Sequence, residues 1–217
     1  MLSHSHLDQI SSTFSPAEAS LEGNLEKLMW YYHNGYPLDE EVVQNACTIG
    51  HTSIVQWCLI HEIPFTTDCI EIAAYNGHIP ILLTFLAFGY RIDNADIVNN
   101  AALGGHLILL KWCQSQGYPI SDYILYISAK EGYLDILKWG LSIGLHYDPK
   151  VAYQAVASGN LSILKWLHSQ KYRMCPQKIK KYSMLAYRIE KITASLKWCV
   201  RMEYISQSEY TQLLLST

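Results

Sequence analysis

The chain has 217 residues, half of them hydrophobic, and carries 16 Lys/Arg against 19 Asp/Glu for a net charge of −3. That is ample apolar material for a core, and too balanced a charge for a uniformly basic or acidic binder. The longest apolar stretch, Ile81–Phe88, is interrupted by Thr84 and is too short to span a bilayer. The segment MLSHSHLDQISSTF has no basic residue ahead of an apolar run, so no secretory signal is expected. The charge is nonetheless uneven: residues 1–100 hold 2 basic and 12 acidic side chains, and residues 101–217 hold 14 and 7.

Residues 1–14 are polar and rich in Ser and His, and are expected to form a flexible tail. His4 and His6 do not close a metal site, because two ligands are too few. From residue 15 the chain repeats. Gly23, Gly50, Gly77, Gly105, Gly132 and Gly159 recur every 27 residues, with a single interval of 28. Seven residues after each stand Trp30, Trp57, Thr84, Trp112, Trp139 and Trp166; four before each stand Ala19, Ala46, Ala73, Ala101, Ser128 and Ala155. So regular a period marks a stack of similar supersecondary units.

Each unit reads as two helices. Ser15, Asp39, Thr66, Asp93 or Asn94, Ser121 and Asp148 sit where N-caps of the first helices are expected, their oxygens accepting from unpaired N–H groups. Pro16, Pro149 and Pro176 follow as first helical residues, where a missing N–H costs nothing. Apolar residues such as Val42, Val43, Ala46 and Cys47 then recur at helical spacing. Glycine supplies the turn. The second helix carries larger side chains, as in Leu107, Leu109, Leu110, Trp112 and Cys113, and stops at Gly35, Gly89, Gly117 or Gly144 as left-handed C′ caps. Glu62 and Lys171 replace that glycine, so strain or a different closure is expected there. The residue after the cap, such as Tyr36, Ile63 or Tyr118, is expected to tuck into the core. Lys27 among Glu18, Glu22 and Glu26 marks residues 15–38 as a polar capping repeat. Leu196-Lys197-Trp198-Cys199 repeats the second-helix core after five extra residues within Lys178–Thr193, and Ser206-Gln207-Ser208-Glu209 opens a last helix, Gln207–Leu215; residues 176–217 form the opposite cap.

The pattern A-A-x-x-G-H-L-x-I-L-K-x-x-x-x-x-G, best seen at Ala101–Gly117, resembles the ankyrin repeat over about residues 15–204. It departs in length: ankyrin units are usually about 33 residues long, and the Thr-Pro-Leu-His opening is missing. The lost residues lie where ankyrin units carry a β-hairpin finger. Short Trp-bearing units of this kind look most like the divergent ankyrin proteins of giant DNA viruses of amoebae. The expected fold is one all-α, ankyrin-like solenoid of about seven helix-turn-helix repeats, spanning residues 15–217, with shortened or absent fingers. The resemblance implies a non-enzymatic scaffold or adaptor, a monomer, that binds another protein, a host protein if the origin is viral.

The residues argue the same class. His51, His78 and His106 form a column, but stacked helices lie about 10 Å apart, too far to share a metal; each is expected to bond turn backbone in its own or the next unit. The tryptophan column is expected in the inter-repeat core, since an indole has about 150–250 Å² to bury. Cys58, Cys113 and Cys199 share one core column, and Cys47 and Cys69 lie on apolar helix faces, so all six cysteines are read as free thiols in a reducing, cytoplasmic compartment. No phosphate loop, nucleophile elbow, paired CxxC or HExxH is present, and neither enzyme activity nor a cofactor is expected. The binding site is placed on the concave ridge of first helices, at positions that escape the apolar stripe: Tyr75, Asn99, Asn100, Tyr123, Tyr126, Ile127, Lys130, Lys150 and Tyr153. The second reading is electrostatic binding of nucleic acid or an acidic partner by the basic end Lys171–Lys191.

Overall fold

The structure, a computed structural model, describes residues 15–92, 94–186 and 193–215. Two compact units divide it, Met1–Pro119 and Ile120–Thr217. The tail at 1–14, with His4 and His6, lies outside the described residues, as do Asp93, Arg188 and Lys191.

Unit 1 holds four helix pairs: α1 (Pro16–Leu21) with α2 (Leu25–His33), α3 (Glu40–Ile49) with α4 (Thr52–Ile60), α5 (Asp68–Tyr75) with α6 (Ile79–Ala87), and α7 (Asn94–Leu103) with α8 (Leu107–Ser115). Unit 2 holds α9 (Tyr123–Glu131) with α10 (Leu134–Ser142), α11 (Lys150–Ala157) with α12 (Leu161–Ser169), α13 (Pro176–Ala186) with α14 (Thr193–Arg201), and a last helix α15 (Gln207–Leu215). Within each unit the first helices pack side by side, α1 on α3, α3 on α5 and α5 on α7, then α9 on α11 and α11 on α13. Among the described residues there is no strand, and each pair passes to the next through a short loop. The finger is absent, as the 27-residue period predicts.

Small residues make the close approach between helices. Ala46, Ala73, Ala101, Ser128 and Ala155 are fully buried, and Ser128 Oγ donates to the Ile124 carbonyl at 2.5 Å, which satisfies the one polar atom in that column. Leu28, Ile54, Ile81 and Leu109 fill the second-helix side in unit 1, and Ile136, Ile163 and Leu196 do so in unit 2. Cys47, Cys58, Cys69, Cys113 and Cys199 are buried and free; Cys175 is half-buried.

The helix ends follow the expected chemistry with three corrections. Ser15 forms a full capping box: its Oγ accepts from Glu18 N at 3.2 Å while Glu18 Oε2 accepts from Ser15 N at 2.8 Å. Ser206 and Glu209 repeat the box at α15 with bonds of 3.2 and 2.9 Å. Asp39 also caps, accepting from Glu41 N; Asp148 accepts from Lys150 N but lies one residue before the cap position, which Pro149 occupies in place of the expected first helical position. Thr66 and Ser121 do not cap with their side chains. Their carbonyls accept from Cys69 N and Ile124 N instead, in turns that start the helix one residue later. At the far ends, Gly35, Gly89, Gly117 and Gly144 have φ of 74, 82, 79 and 93°. Glu62 and Lys171 adopt φ of 54 and 60°, and Glu203, which the repeat pattern does not flag, adopts 61°. Closure there is not different: Ile63 N still donates to the Cys58 carbonyl and Tyr172 N to the Leu167 carbonyl, both at 3.0 Å. The Schellman geometry is kept, with a side chain in a backbone region that costs about 1–2 kcal/mol.

The tryptophan column needs the larger correction. Trp57 and Trp198 are buried, at 8% exposure each, but Trp30, Trp112, Trp139 and Trp166 are half-buried. The tryptophans do bridge repeats. Tyr32 meets Trp57 at 5.3 Å, Lys138 Nζ lies 5.7 Å from the Trp166 ring and His168 meets Trp198 at 5.5 Å. Trp30, Trp112, Trp139 and Trp166 lie at the rim of the second-helix layer, whereas Trp57 and Trp198, at the same register, are closed over by their neighbours. The closing tyrosines stay at that rim too. Tyr36 is 41% exposed and packs on Trp30 at 5.8 Å, and Tyr118 packs on Trp112 at 5.7 Å. Only Ile63 buries its branch, at 7% exposure.

Candidate functional site

The Gly-His turn is structural. His51 Nε2 donates to the Leu21 carbonyl at 3.1 Å, His78 Nε2 to Thr48 at 3.1 Å and His106 Nε2 to Tyr75 at 2.8 Å. A carbonyl only accepts, so each Nε2 carries the hydrogen. The partner lies in the preceding repeat, and not in the histidine's own or the next one as expected from sequence. In unit 2, Asn160 takes the histidine's place and donates to the Ala129 and Lys130 carbonyls, each at 2.8 Å. The same ring also explains the glycine. A Cβ on Gly77 would lie 2.5 Å from His106 Nδ1, and one on Gly23 would lie 2.5 Å from His51 Cε1. Gly23, Gly50 and Gly77 are thus each the floor on which the next repeat's histidine lies, and Gly132 is the floor for Asn160.

Among the described residues, no group of three or more His, Cys, Asp and Glu is placed to hold a metal. Burial pushes the Cys58, Cys113 and Cys199 thiols up to about 12. A hydrogen bond with Cys69, and then burial, pushes the Cys47 thiol far above its usual range. Thiols held neutral in a core are poor nucleophiles.

The first-helix ridge is open in each unit. In unit 1, Tyr75 is 50% exposed, while Asn99 and Asn100 are half-buried, the latter donating to the Asp96 carbonyl at 3.0 Å. Tyr75 and Asn100 line a groove of about 360 Å³ with Gln44, Asp68, Glu71, Ile72 and Asn76. In unit 2, Tyr123 is 55% exposed and lies nearly parallel to Tyr126, with ring centroids 6.1 Å apart and planes at 14°. Both face an open groove of about 650 Å³ between α9 and α11, completed by Asp122, His146, Asp148, Lys150 and Val151. Asp122, His146 and Asp148 carry no motif. They meet because Asp122 Oδ1 accepts from His146 N at 2.8 Å, a contact between residues 24 apart that no local pattern announces.

Two expected ridge residues are not on it. Ile127 and Tyr153 are each only 2% exposed. Side-by-side packing of first helices covers the flank on which Ile127 lies. The Tyr153 ring is covered from the next repeat: Tyr182 stacks on it at 5.3 Å and 12°, and Lys178 Nζ lies 5.9 Å from its centroid. Lys130 and Lys150 are exposed as expected, though neither charge stands alone. Lys130 Nζ is 3.1 Å from Glu131, whose hydrogen bond raises the lysine above its ordinary range, and Lys150 Nζ is 3.7 Å from Asp148. Exposed pairs of this kind contribute little stability and are readily exchanged for a partner's groups.

No protein-family model and no curated protein matches the chain. Among solved structures, the crystal structure of the human ASB11 ankyrin repeat domain superposes with a TM-score of 0.59 at 18% identity, over 74% of this chain and 85% of that one. The fold is that of an ankyrin-repeat domain. No described helix is long and apolar enough to cross a membrane. The basic end of the fold is exposed at Lys171, Arg173, Lys178 and Lys181.

Proposed function

We propose that this chain is a non-enzymatic scaffold that binds another protein through the first-helix ridge of unit 2. The observation that carries the reading is the near-parallel Tyr123–Tyr126 pair, the first ring exposed and the second half-buried, opening onto the groove beside Lys150. Tyrosine offers a large contact area with few rotors to order, so burying it on binding costs little entropy. Anchors of this type concentrate binding energy, whereas rim lysines mainly steer encounter. The unit 1 ridge, with Tyr75, Asn99 and Asn100, is a second face of the same kind but acidic. With short loops in place of fingers, helices supply the contact. The likeness of the repeats to those of giant viruses supports a host protein as the partner, met by a monomer in the cytoplasm.

The test is affinity capture from host lysate with wild-type protein and a Tyr123→Ala/Tyr126→Ala variant, followed by calorimetry on whichever protein the wild type retains. The variant should bind at least tenfold more weakly, with an unchanged circular dichroism spectrum. Equal retention of the partner by the folded variant overturns the ridge assignment.

A further inference from the structure

The second helices of unit 2 carry a feature that the ridge does not use. Six residues after each turn the repeat places Met29, Gln56 and Leu83 in its first three copies and Lys111, Lys138 and Lys165 in the next three. Lys197 holds the equivalent place before Trp198 in α14. The fold therefore does not require lysine in this column; a thioether, an amide or a leucine serves. All four lysines are exposed. Among the described residues, none of Lys138, Lys165 and Lys197 pairs with a carboxylate within salt-bridge distance.

In unit 2 the three lysines fall on neighbouring helices. Lys138 reaches the Trp166 ring across the α10–α12 seam, and His168 meets Trp198 across the α12–α14 seam. Adjacent helix axes lie about 8–10 Å apart, so the ammonium groups form a ladder of roughly that spacing, with the half-buried Trp139 and Trp166 beside it. Arg201 extends it one turn beyond Lys197. Two acidic side chains lie close to the ladder in sequence: Asp135, one turn before Lys138, whose Oδ1 already accepts from Ile136 N at 2.9 Å, and the exposed Glu203, two residues after Arg201.

We propose that the outer face of α10, α12 and α14 docks the sugar–phosphate backbone of a nucleic acid, without reading its sequence. Charge complementarity selects a polyanion, and spacing selects the kind. A nucleic-acid backbone carries a phosphate at every nucleotide, a dense and continuous run of charge, so widely spaced ammonium groups need no exact register to find partners. A protein's carboxylates would have to match the ladder. Lysines hold phosphates as point charges, with no geometry to match. Part-exposed indoles beside the ladder give splayed bases a stacking surface. This surface is separate from the first-helix ridge and stands or falls independently of it.

The experiment is fluorescence anisotropy of a labelled 20-nucleotide oligothymidylate and a labelled 20-base-pair duplex against the full chain between 50 and 300 mM salt. Binding should weaken steeply with salt. Lys138→Gln/Lys165→Gln/Lys197→Gln should weaken it at least tenfold at 50 mM and reduce the log–log salt slope for the single strand by about 2, since each lost phosphate contact removes about 0.7. The melting curve should be unchanged. Lys130→Gln/Lys150→Gln on the ridge should cost less than threefold. The proposal is overturned by absence of binding at 50 mM salt, by an unchanged slope in the triple variant, by an equal loss in the ridge variant, or by polyglutamate competing as well as unlabelled oligonucleotide, which would assign the face to an acidic protein.

Discussion

The two glycines at the ends of α6 separate backbone cost from inter-repeat contact. Gly77 has φ of 77° and Gly89 has φ of 82°, so alanine pays the same left-handed penalty at both, about 1–2 kcal/mol. Their surroundings differ. A Cβ at Gly89 meets nothing within 4 Å, whereas one at Gly77 would lie 2.5 Å from His106 Nδ1. The ring must move, and its 2.8 Å bond to the Tyr75 carbonyl is lost, adding about 0.5–1.5 kcal/mol. Gly89→Ala should therefore cost about 1–2 kcal/mol, and Gly77→Ala about 1.5–3.5 kcal/mol. In Gly77→Ala/His106→Ala the second term is counted once, so the double variant should be more stable than the sum of the singles by about 0.5–1.5 kcal/mol. Urea unfolding followed by circular dichroism measures all four values. Equal costs at the two glycines, or strict additivity with His106→Ala, would refute the idea that the turn glycine exists to seat the next repeat's histidine.

The tryptophans offer a second comparison. Trp57→Ala should cost about 3–5 kcal/mol, because that ring is 8% exposed and stacked on His61 at 4.3 Å, whereas half-buried Trp112 should cost about half as much; equal melting shifts would contradict the rim placement. Glu62→Gly and Lys171→Gly should each raise stability by about 0.5–1 kcal/mol by relieving positive φ, and a lowered melting midpoint would show that their side chains matter more than their backbone. The buried thiols set an alkaline limit: Cys58, Cys113 and Cys199 are held up to about 12 when folded, against about 8.5 when unfolded. Folding then keeps protons that the unfolded chain releases, so this contribution is intact below about pH 8.5 and declines as pH rises toward 12. Stability that stays flat over that window, or rapid reaction of more than the half-buried Cys175 with a thiol reagent at neutral pH, would place the cysteines outside the core.

The repeat architecture was legible in the linear sequence because it rests on local rules. Glycine alone tolerates φ near 75–100° without cost, serine and aspartate cap where N–H groups are orphaned, and apolar spacing names the face a helix buries. The period of 27 residues announced the missing finger, since a hairpin needs residues the unit does not have. The ridge was legible only in part. Tyr123, Lys130 and Lys150 are exposed as their register implies and Tyr126 is half-buried, yet Tyr153, at the same register as Tyr126, is buried beneath Tyr182. Helical phase tells which way a side chain points; it does not tell what the next repeat lays over it. The histidine column shows the same division. Its recurrence is a property of the sequence, but its partner is a carbonyl about 30 residues back, and only the stacking of one repeat on another brings the two together. The tryptophans divide in the same way: Trp30, Trp112, Trp139 and Trp166 are half-buried while Trp57 and Trp198, at the same register, are buried, because what the neighbouring repeat lays over each indole is decided by the stacking and not by its place in the repeat.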